Sequence, residues 1–315
     1  MVKALALNVF QVVLLAGLAP LVTGIIKKTK ALLQTRRGPG VFQPYLDLYK
    51  LLHKESVVSE HTSWIFVVTP YIYLASLLAA SLMLPVISTA GLLNFSGDVI
   101  LIIYLFALGR FFLALAGLDA GSAFGGMASS REMAISAVAE PAAMLPLFAM
   151  AVSQGSTNLT AVITGVDKAG QALLSPTIWL AFIAFFIAAI AETGRIPVDN
   201  PDTHLELTMI HEGMLLEYSG RPLALLTLGA SLKQLLIFTL LANVFFPLGI
   251  STGYGLGSLG TALLVYMAKV VLLGLVMAVI ETSFAKMRLF KVPDLLLGSF
   301  LLSLLGIAAK FVFRG

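Results

Sequence analysis

The chain has 315 residues, 59% hydrophobic and 11% charged, with a formal net charge of +4 and a mean hydropathy of +0.97. Soluble domains carry about 25% charged residues, so water-soluble and disordered chains are excluded. Cysteine is absent, which excludes disulfides, cysteine-ligated iron–sulfur clusters and thiolate zinc sites within the chain.

Apolar runs of about 20 residues, enough for a helix to cross a bilayer, recur along the whole length. They are far longer than the ~10-residue alternating segments of a β-barrel. The pattern predicts an all-α integral membrane protein with about eight tilted spans in one domain, 1–315. The spans fall near 5–26, 64–88, 98–118, 133–154, 177–193, 222–249, 259–281 and 294–313. The first run, Ala4 to Ile26, exceeds the roughly 7–15-residue core of a signal peptide, so it is expected to be retained as a span.

After the first span comes the loop 27–63, which contains Arg36-Arg37-Gly38-Pro39-Gly40 and then a short amphipathic helix. Pro44 suits its first turn. Tyr45, Leu48, Tyr49 and Leu52 form an apolar stripe at i, i+3, i+4, i+7, with Asp47, Lys50 and Lys54 opposite. Such a helix either rests on the membrane surface or forms a docking platform for a peripheral subunit. Further on, Ser129-x-x-Glu132 reads as a capping box opening the fourth span.

The segment from Glu192 to Arg221 is the second unusual loop. It holds Glu192, Asp199, Asp202, Glu206, Glu212 and Glu217, six of the chain's 16 acids, and two arginines. If 199–206 is helical, Asp199, Asp202 and Glu206 share one face. That crowding must be relieved by protons, water or a cationic partner, unless the face is merely solvated. His204 and His211, seven residues apart, lack the H-E-x-x-H spacing, and no metal site is expected. None of His53, His61, His204 and His211 lies in an apolar run, which leaves no pair to hold a membrane haem. Gly255-Leu256-Gly257-Ser258-Leu259-Gly260 matches a dinucleotide fingerprint in letters only, because it follows a membrane helix rather than a strand.

Lysine and arginine counts set the expected orientation. The loops after spans one, three, five and seven carry thirteen, and the opposite side carries four. The thirteen-residue side is expected to be cytoplasmic in a cell inner (cytoplasmic) membrane, with both termini outside. The positive charge is this asymmetry and calls for no nucleic-acid partner.

Arg110, Glu140, Lys233 and Lys269 fall inside spans, where each ionised group costs ~2.5–3.5 kcal/mol near the bilayer centre. They must pair, neutralise or face water. Glu140 precedes Pro141, which interrupts the helix ladder and can leave carbonyls to bind water. An internal Arg110–Glu140 ion pair is one reading. The other is a proton or ion path through Glu140, Glu192, Asp199, Asp202, Glu206, Glu212, Glu217, Lys233, Lys269 and Glu281.

Several stretches carry a resemblance. Ala191-Glu192-Thr193-Gly194-Arg195-Ile196-Pro197-Val198-Asp199 and Glu217-Tyr218-Ser219-Gly220 are similar to the ends of the long third cytoplasmic loop in the complex I subunit 1 (NuoH) superfamily. Arg37-Gly38-Pro39 with Gln43-Pro44 resembles that family's first loop. Gly117-Leu118-Asp119-Ala120-Gly121-Ser122, Ala128-Ser129-Ser130-Arg131-Glu132 and Asp202-Thr203-His204-Leu205-Glu206-Leu207 are most like the membrane anchors of membrane-bound [NiFe] hydrogenases, rather than the quinone branch.

The resemblance implies a NuoH-like bundle. It also implies docking of a cytoplasmic arm through Arg36, Arg37, Gly38, Pro39, Asp47, Lys50, Arg131, Arg195 and Arg221. The implied partners are hydrogenase-like large and small subunits, an Fe–S protein and antiporter-like membrane subunits. No cofactor is expected in this chain, with the [NiFe] centre and Fe–S clusters lying in those partners. The alternatives are a quinone-reactive subunit and a stand-alone secondary transporter, and the absence of paired broken helices counts against the latter.

Overall fold

In the computed structural model, residues 2–90, 97–168, 175–200, 209–253 and 255–312 are described. They form α1 Val2–Leu33, α2 Gln43–Leu52, α3 Trp64–Met83, α4 Asp98–Asp119, α5 Ala123–Gln154, α6 Leu159–Lys168, α7 Pro176–Glu192, α8 Gly220–Val244, α9 Leu256–Ser283 and α10 Val292–Val312. Among the described residues there is no strand, only an isolated bridge between Ser88 and Ser251. Seven helices (α1, α3, α4, α5, α8, α9 and α10) are long and apolar enough to cross a membrane. The remaining expected span is α7, apolar but only 17 residues long. At 1.5 Å per residue α7 reaches roughly 26 Å, short of a ~30 Å hydrocarbon core.

That deficit shapes the interior. Where α7 stops at Glu192, the chain continues as an irregular segment whose residues 195–199, 209–210 and 213–215 are buried. Non-helical backbone survives at membrane depth only inside protein or against a water-filled cavity. Here it packs against α5, α4 and α8. The last of these is the central helix, buried along nearly all of its length from Ser231 to Val244.

The structure corrects three expected boundaries. The second span stops at Met83, not 88, because Pro85 cannot continue a helix and its predecessor Leu84 is already extended. Residues 85–87 run inside the protein instead. The Gln11 side chain accepts from the Val86 and Ile87 amides, and Asn243 donates to the Pro85 and Val86 carbonyls. The fourth span opens ten residues early, at Ala123, with Ser122 accepting from the Gly125 amide. The Ser129 capping box is therefore absent, and Ser129 is fully buried inside α5. The sixth span stops at Val244, not 249.

Glycines explain the early start of α5. A Cβ on Gly117 would collide with the Ser129 hydroxyl, one on Gly125 with the Gly117 carbonyl, and one on Gly213 with Ala128 at 2.6 Å. Small residues let these backbones approach closely, which helical propensity alone does not reveal. The same device recurs around Tyr73 on α3, whose ring lies between Gly109 of α4 and Gly229 of α8. Added methyls there would meet it at 3.1 and 2.6 Å.

Gly229→Ala is therefore expected to overpack this three-helix contact, at a cost of ~1–3 kcal/mol. A thermal unfolding scan in mild detergent should show a lowered midpoint. Gly298→Ala, with open space around its added methyl, should leave the midpoint unchanged.

Candidate functional site

Arg110 lies on α4, nine residues from its C-terminal end, and is almost wholly buried. Its guanidinium meets carboxylates from two other helices. Nη1 donates to Glu140 Oε1 at 3.1 Å, Nη2 bonds Glu192 Oε2, and Nε stands 3.6 Å from Glu132 Oε1. Glu132 and Glu140 are two turns apart on one face of α5, and Glu192 is the last residue of α7. Lys233 of α8 pairs with the same Glu192 oxygen at 3.0 Å. His211 Nδ1 lies 3.7 Å from Glu132 Oε1. Two basic side chains thus face three carboxylates, and protonated His211 would supply a third positive charge.

A second network adjoins the first through the next residue of α8. Arg195 donates to Gln234 at 2.7 Å and to Glu281 Oε1 at 3.1 Å, and Lys30 of α1 reaches Glu281 Oε2 at 3.2 Å. A third centres on Asp199. It pairs with Lys286 at 2.7 Å and accepts from the backbone amides of Ile210 and His211. These bonds hold the irregular segment against α8 and the end of α9, and Lys30 ties α1 to the same Glu281.

Between the networks lies a polar cavity of about 140 Å³. Its walls include Lys27, Glu192, Arg195, Asp199, His211, Glu212, Lys233 and Gln234. Tyr73 Oη and Gln234 Nε2 on this wall are buried and have no protein hydrogen-bond partner among the described residues. The cavity is roomy and polar enough for several waters, since one needs only ~10–15 Å³ and two to four polar partners. A separate, smaller void of about 20 Å³ lies beside Arg110, Glu140 and Glu192, lined otherwise by apolar side chains. The arrangement sets titratable side chains against a space that water can fill.

Comparison with known proteins places the chain in a family. The NADH dehydrogenase family matches residues 5–311. The chain belongs to that NuoH-like family. It is 38% identical to formate hydrogenlyase subunit 4 of Escherichia coli (strain K12), over 90% of this chain and 91% of that protein. Hydrogenase-4 component C of the same organism is 36% identical over 88% and 87%. An NADH-quinone oxidoreductase subunit from Chelativorans sp. (strain BNC1) is 29% identical over 74% and 71%. The fold matches a chain of the membrane-bound sulfane sulfur reductase, an archaeal respiratory membrane complex, at TM-score 0.80 and 20% identity over 98% of both chains. The chain is thus a multi-pass membrane member of the family, with the expected NuoH-like helical bundle.

In this family member the structure gathers Glu140, Glu192, Asp199, Glu212, Lys233 and Glu281 around the cavity and its adjoining networks. Lys269 stands apart: it donates to the Phe246 carbonyl at 2.7 Å and serves the C-terminal end of α8. Glu217 is exposed. Asp202, Glu206 and His204 lie outside the described residues, and Asp199 precedes them in non-helical backbone. Among the expected docking residues, Arg36, Arg37, Gly38, Pro39, Asp47, Lys50 and Arg221 are exposed. Arg131 is half-buried and donates to the Met209 carbonyl. Arg195 is turned inward to Glu281, because a guanidinium this deep needs a carboxylate more than a surface, so its docking role falls away.

Sequence reasoning missed Glu132, which it treated as a cap, and the part played by His211. The eight-residue spacing from Glu132 to Glu140 was the available signal. No cluster of three or more histidine, aspartate or glutamate side chains suited to a metal occurs among the described residues.

Two groups outside the spans titrate unusually. Burial pushes His211 down, but its contact with Glu132 outweighs this and leaves its pKa raised from the ordinary 6.5. Burial raises Glu212 above the ordinary 4.5. In both cases the folded chain binds protons more tightly than the unfolded one. Their contribution to stability is therefore complete at low pH and lost as the pH rises through the raised values. Unfolding midpoints in detergent should fall as pH is raised from about 5 to about 8. His211→Gln combined with Glu212→Gln should flatten that slope.

Proposed function

We propose that the chain is the membrane-anchor and proton- or ion-coupling subunit of a membrane-bound hydrogenase-type redox complex related to respiratory complex I. One observation carries the reading: six ionisable side chains from α4, α5, α7, α8 and the irregular segment form one network beside a polar cavity. Ionisable groups inside a membrane protein mark ion and proton pathways by default.

In this reading the face bearing loops 27–63 and 194–221 is cytoplasmic, and the termini lie on the opposite side. The peripheral arm rests on the exposed Arg36, Arg37, Gly38 and Pro39, on Asp47 of α2, and on Arg221. That arm comprises hydrogenase-like large and small subunits and an Fe–S protein, which carry the [NiFe] centre and the Fe–S clusters. Antiporter-like membrane subunits flank the bundle. The higher identity to hydrogenase subunits than to quinone oxidoreductase subunits supports the hydrogenase branch.

The site's own chemistry follows from shared partners. Glu192 is held by both Arg110 and Lys233. A proton from cavity water, passed by His211 or Glu212, would neutralise Glu192 and release both cations. Arg110 then leans on Glu132 and Glu140, and Glu140 is the carboxylate nearest the membrane interior. A charge change on the docked arm would bias this exchange through the cavity wall. The charged lining also disfavours a long apolar quinone as occupant.

Gln variants of Glu140, Glu192, Glu206 and Glu212 keep shape and remove the titratable charge. Measured in proteoliposomes of the intact complex, Glu192→Gln should lower the number of ions moved per electron. Hydrogen turnover should persist without added quinone. Full coupling in all four variants would sink the pathway, and strict quinone dependence would move the chain to the quinone branch.

A further inference from the structure

The level at which α2 meets α1 fixes where it sits in the bilayer. The apolar run of α1 extends from Ala4 to Ile26 and ends at Lys27, Lys28 and Lys30. α2 docks inside that run, not beyond it. The Val41 carbonyl and the Pro44 ring lie against Gly24, where a Cβ would collide with the carbonyl and crowd the ring, and the Tyr45 hydroxyl bonds the Gly17 carbonyl. Gly24 is ~4.5 Å and Gly17 ~15 Å short of Lys27 along the helix axis. The start of α2 therefore lies below the boundary that the lysines mark.

At this depth α2 presents three stripes, each about a third of its circumference. Tyr45 and Leu48 are half-buried against the bundle. Gln43, Asp47 and Lys50, continued by Lys54 past the helix end, form a polar stripe, with Gln43 donating to Asp47 at 2.9 Å. The third stripe is Phe42, Leu46 and Tyr49, which are 67%, 61% and 65% exposed. The single stripe expected from sequence is thus split, with Tyr49 facing away from the protein. Segment 27–54 also carries seven basic residues and one acid, Asp47.

We infer that the outward stripe of α2 is a phospholipid site: Phe42, Leu46 and Tyr49 lie among acyl chains, and Lys50 and Lys54 hold anionic headgroups. An interfacial helix of this kind is held by its buried apolar face and by attraction to anionic lipid. Each nearby lysine adds about 1 kcal/mol to that attraction. Arg36 and Arg37 belong to a different level. Gly38 packs on Ala31, ~10 Å further along α1 than Gly24. Those arginines stand clear of the lipid and remain open to a soluble partner.

The chain has no cysteine, so Leu46→Cys, Tyr49→Cys and Asp47→Cys each create one site for a nitroxide label in the full chain. All three positions are exposed, so labels there displace no packing. The labelled chains are reconstituted in phosphatidylcholine bilayers with or without phosphatidylglycerol. Power-saturation spectra then compare collisions with oxygen and with a water-soluble nickel chelate. Labels at 46 and 49 should favour oxygen several-fold over the label at 47. Adding Lys50→Glu and Lys54→Glu should lower that preference in phosphatidylglycerol bilayers and leave it unchanged in phosphatidylcholine alone. Labels at 46 and 49 as open to nickel as 47 would make the stripe a water-facing platform. Labels closed to both reagents would mean protein covers it. Either result overturns the lipid site, and equal effects of the lysine changes in both bilayers overturn the headgroup contact.

Discussion

The interior depends on one buried guanidinium. Arg110 joins α4 to α5 through Glu132 and Glu140 and to α7 through Glu192, and Glu192 in turn holds Lys233 of α8. A lone charge at this depth is costly, and breaking a buried pair by removing one partner costs ~3–5 kcal/mol because the other is left uncompensated. Arginine suits the position because its planar fork directs five donors at several carboxylates, two more than an ammonium offers. The same contacts gather three carboxylates at one point, so the interaction that stabilises the bundle also assembles its site.

A shortened helix gives that chemistry access to water. α7 ends below the surface, and the chain that follows folds back into the gap. Among its described residues, the Ile210 and His211 amides are bound by Asp199, and the Arg195 guanidinium by Gln234 and Glu281. The polar cavity lies along this segment, between the Arg110 network and the Arg195–Glu281 network. Consecutive residues Lys233 and Gln234 on the central helix touch one network each. A displacement of the irregular segment would therefore reach both, and two of its own side chains, His211 and Glu212, already face the cavity.

The helical bundle was legible from the apolar runs, because a bilayer imposes both length and composition on whatever crosses it. Boundaries failed where other forces decided. Pro85 ended α3, and glycine contacts at Gly117, Gly125 and Gly213 drew α5 out beyond its apolar stretch. For the site, Arg110, Glu140 and Lys233 announced themselves as charges in spans, and Glu192 by its place at a span end. Glu132 and Arg195 did not, since each lies in a stretch that reads as loop and is buried only by tertiary packing. Lys269 shows the converse: a charge in a span that serves a helix end. The direction of Tyr49 was equally hidden, because periodicity groups apolar residues without saying which of them meet protein.

The central claim is that Arg110 is needed because Glu132, Glu140 and Glu192 are charged. Charge rescue tests it directly. The yield of monodisperse protein on size-exclusion chromatography in mild detergent would be compared for the wild type, Arg110→Met, and Arg110→Met with Glu132→Gln and Glu140→Gln. The combined variant leaves Glu192 paired with Lys233. Arg110→Met alone should lose most of the folded protein, and the combined variant should recover it. Arg110→Met as stable as wild type, or a combined variant no better than the single one, would contradict the account.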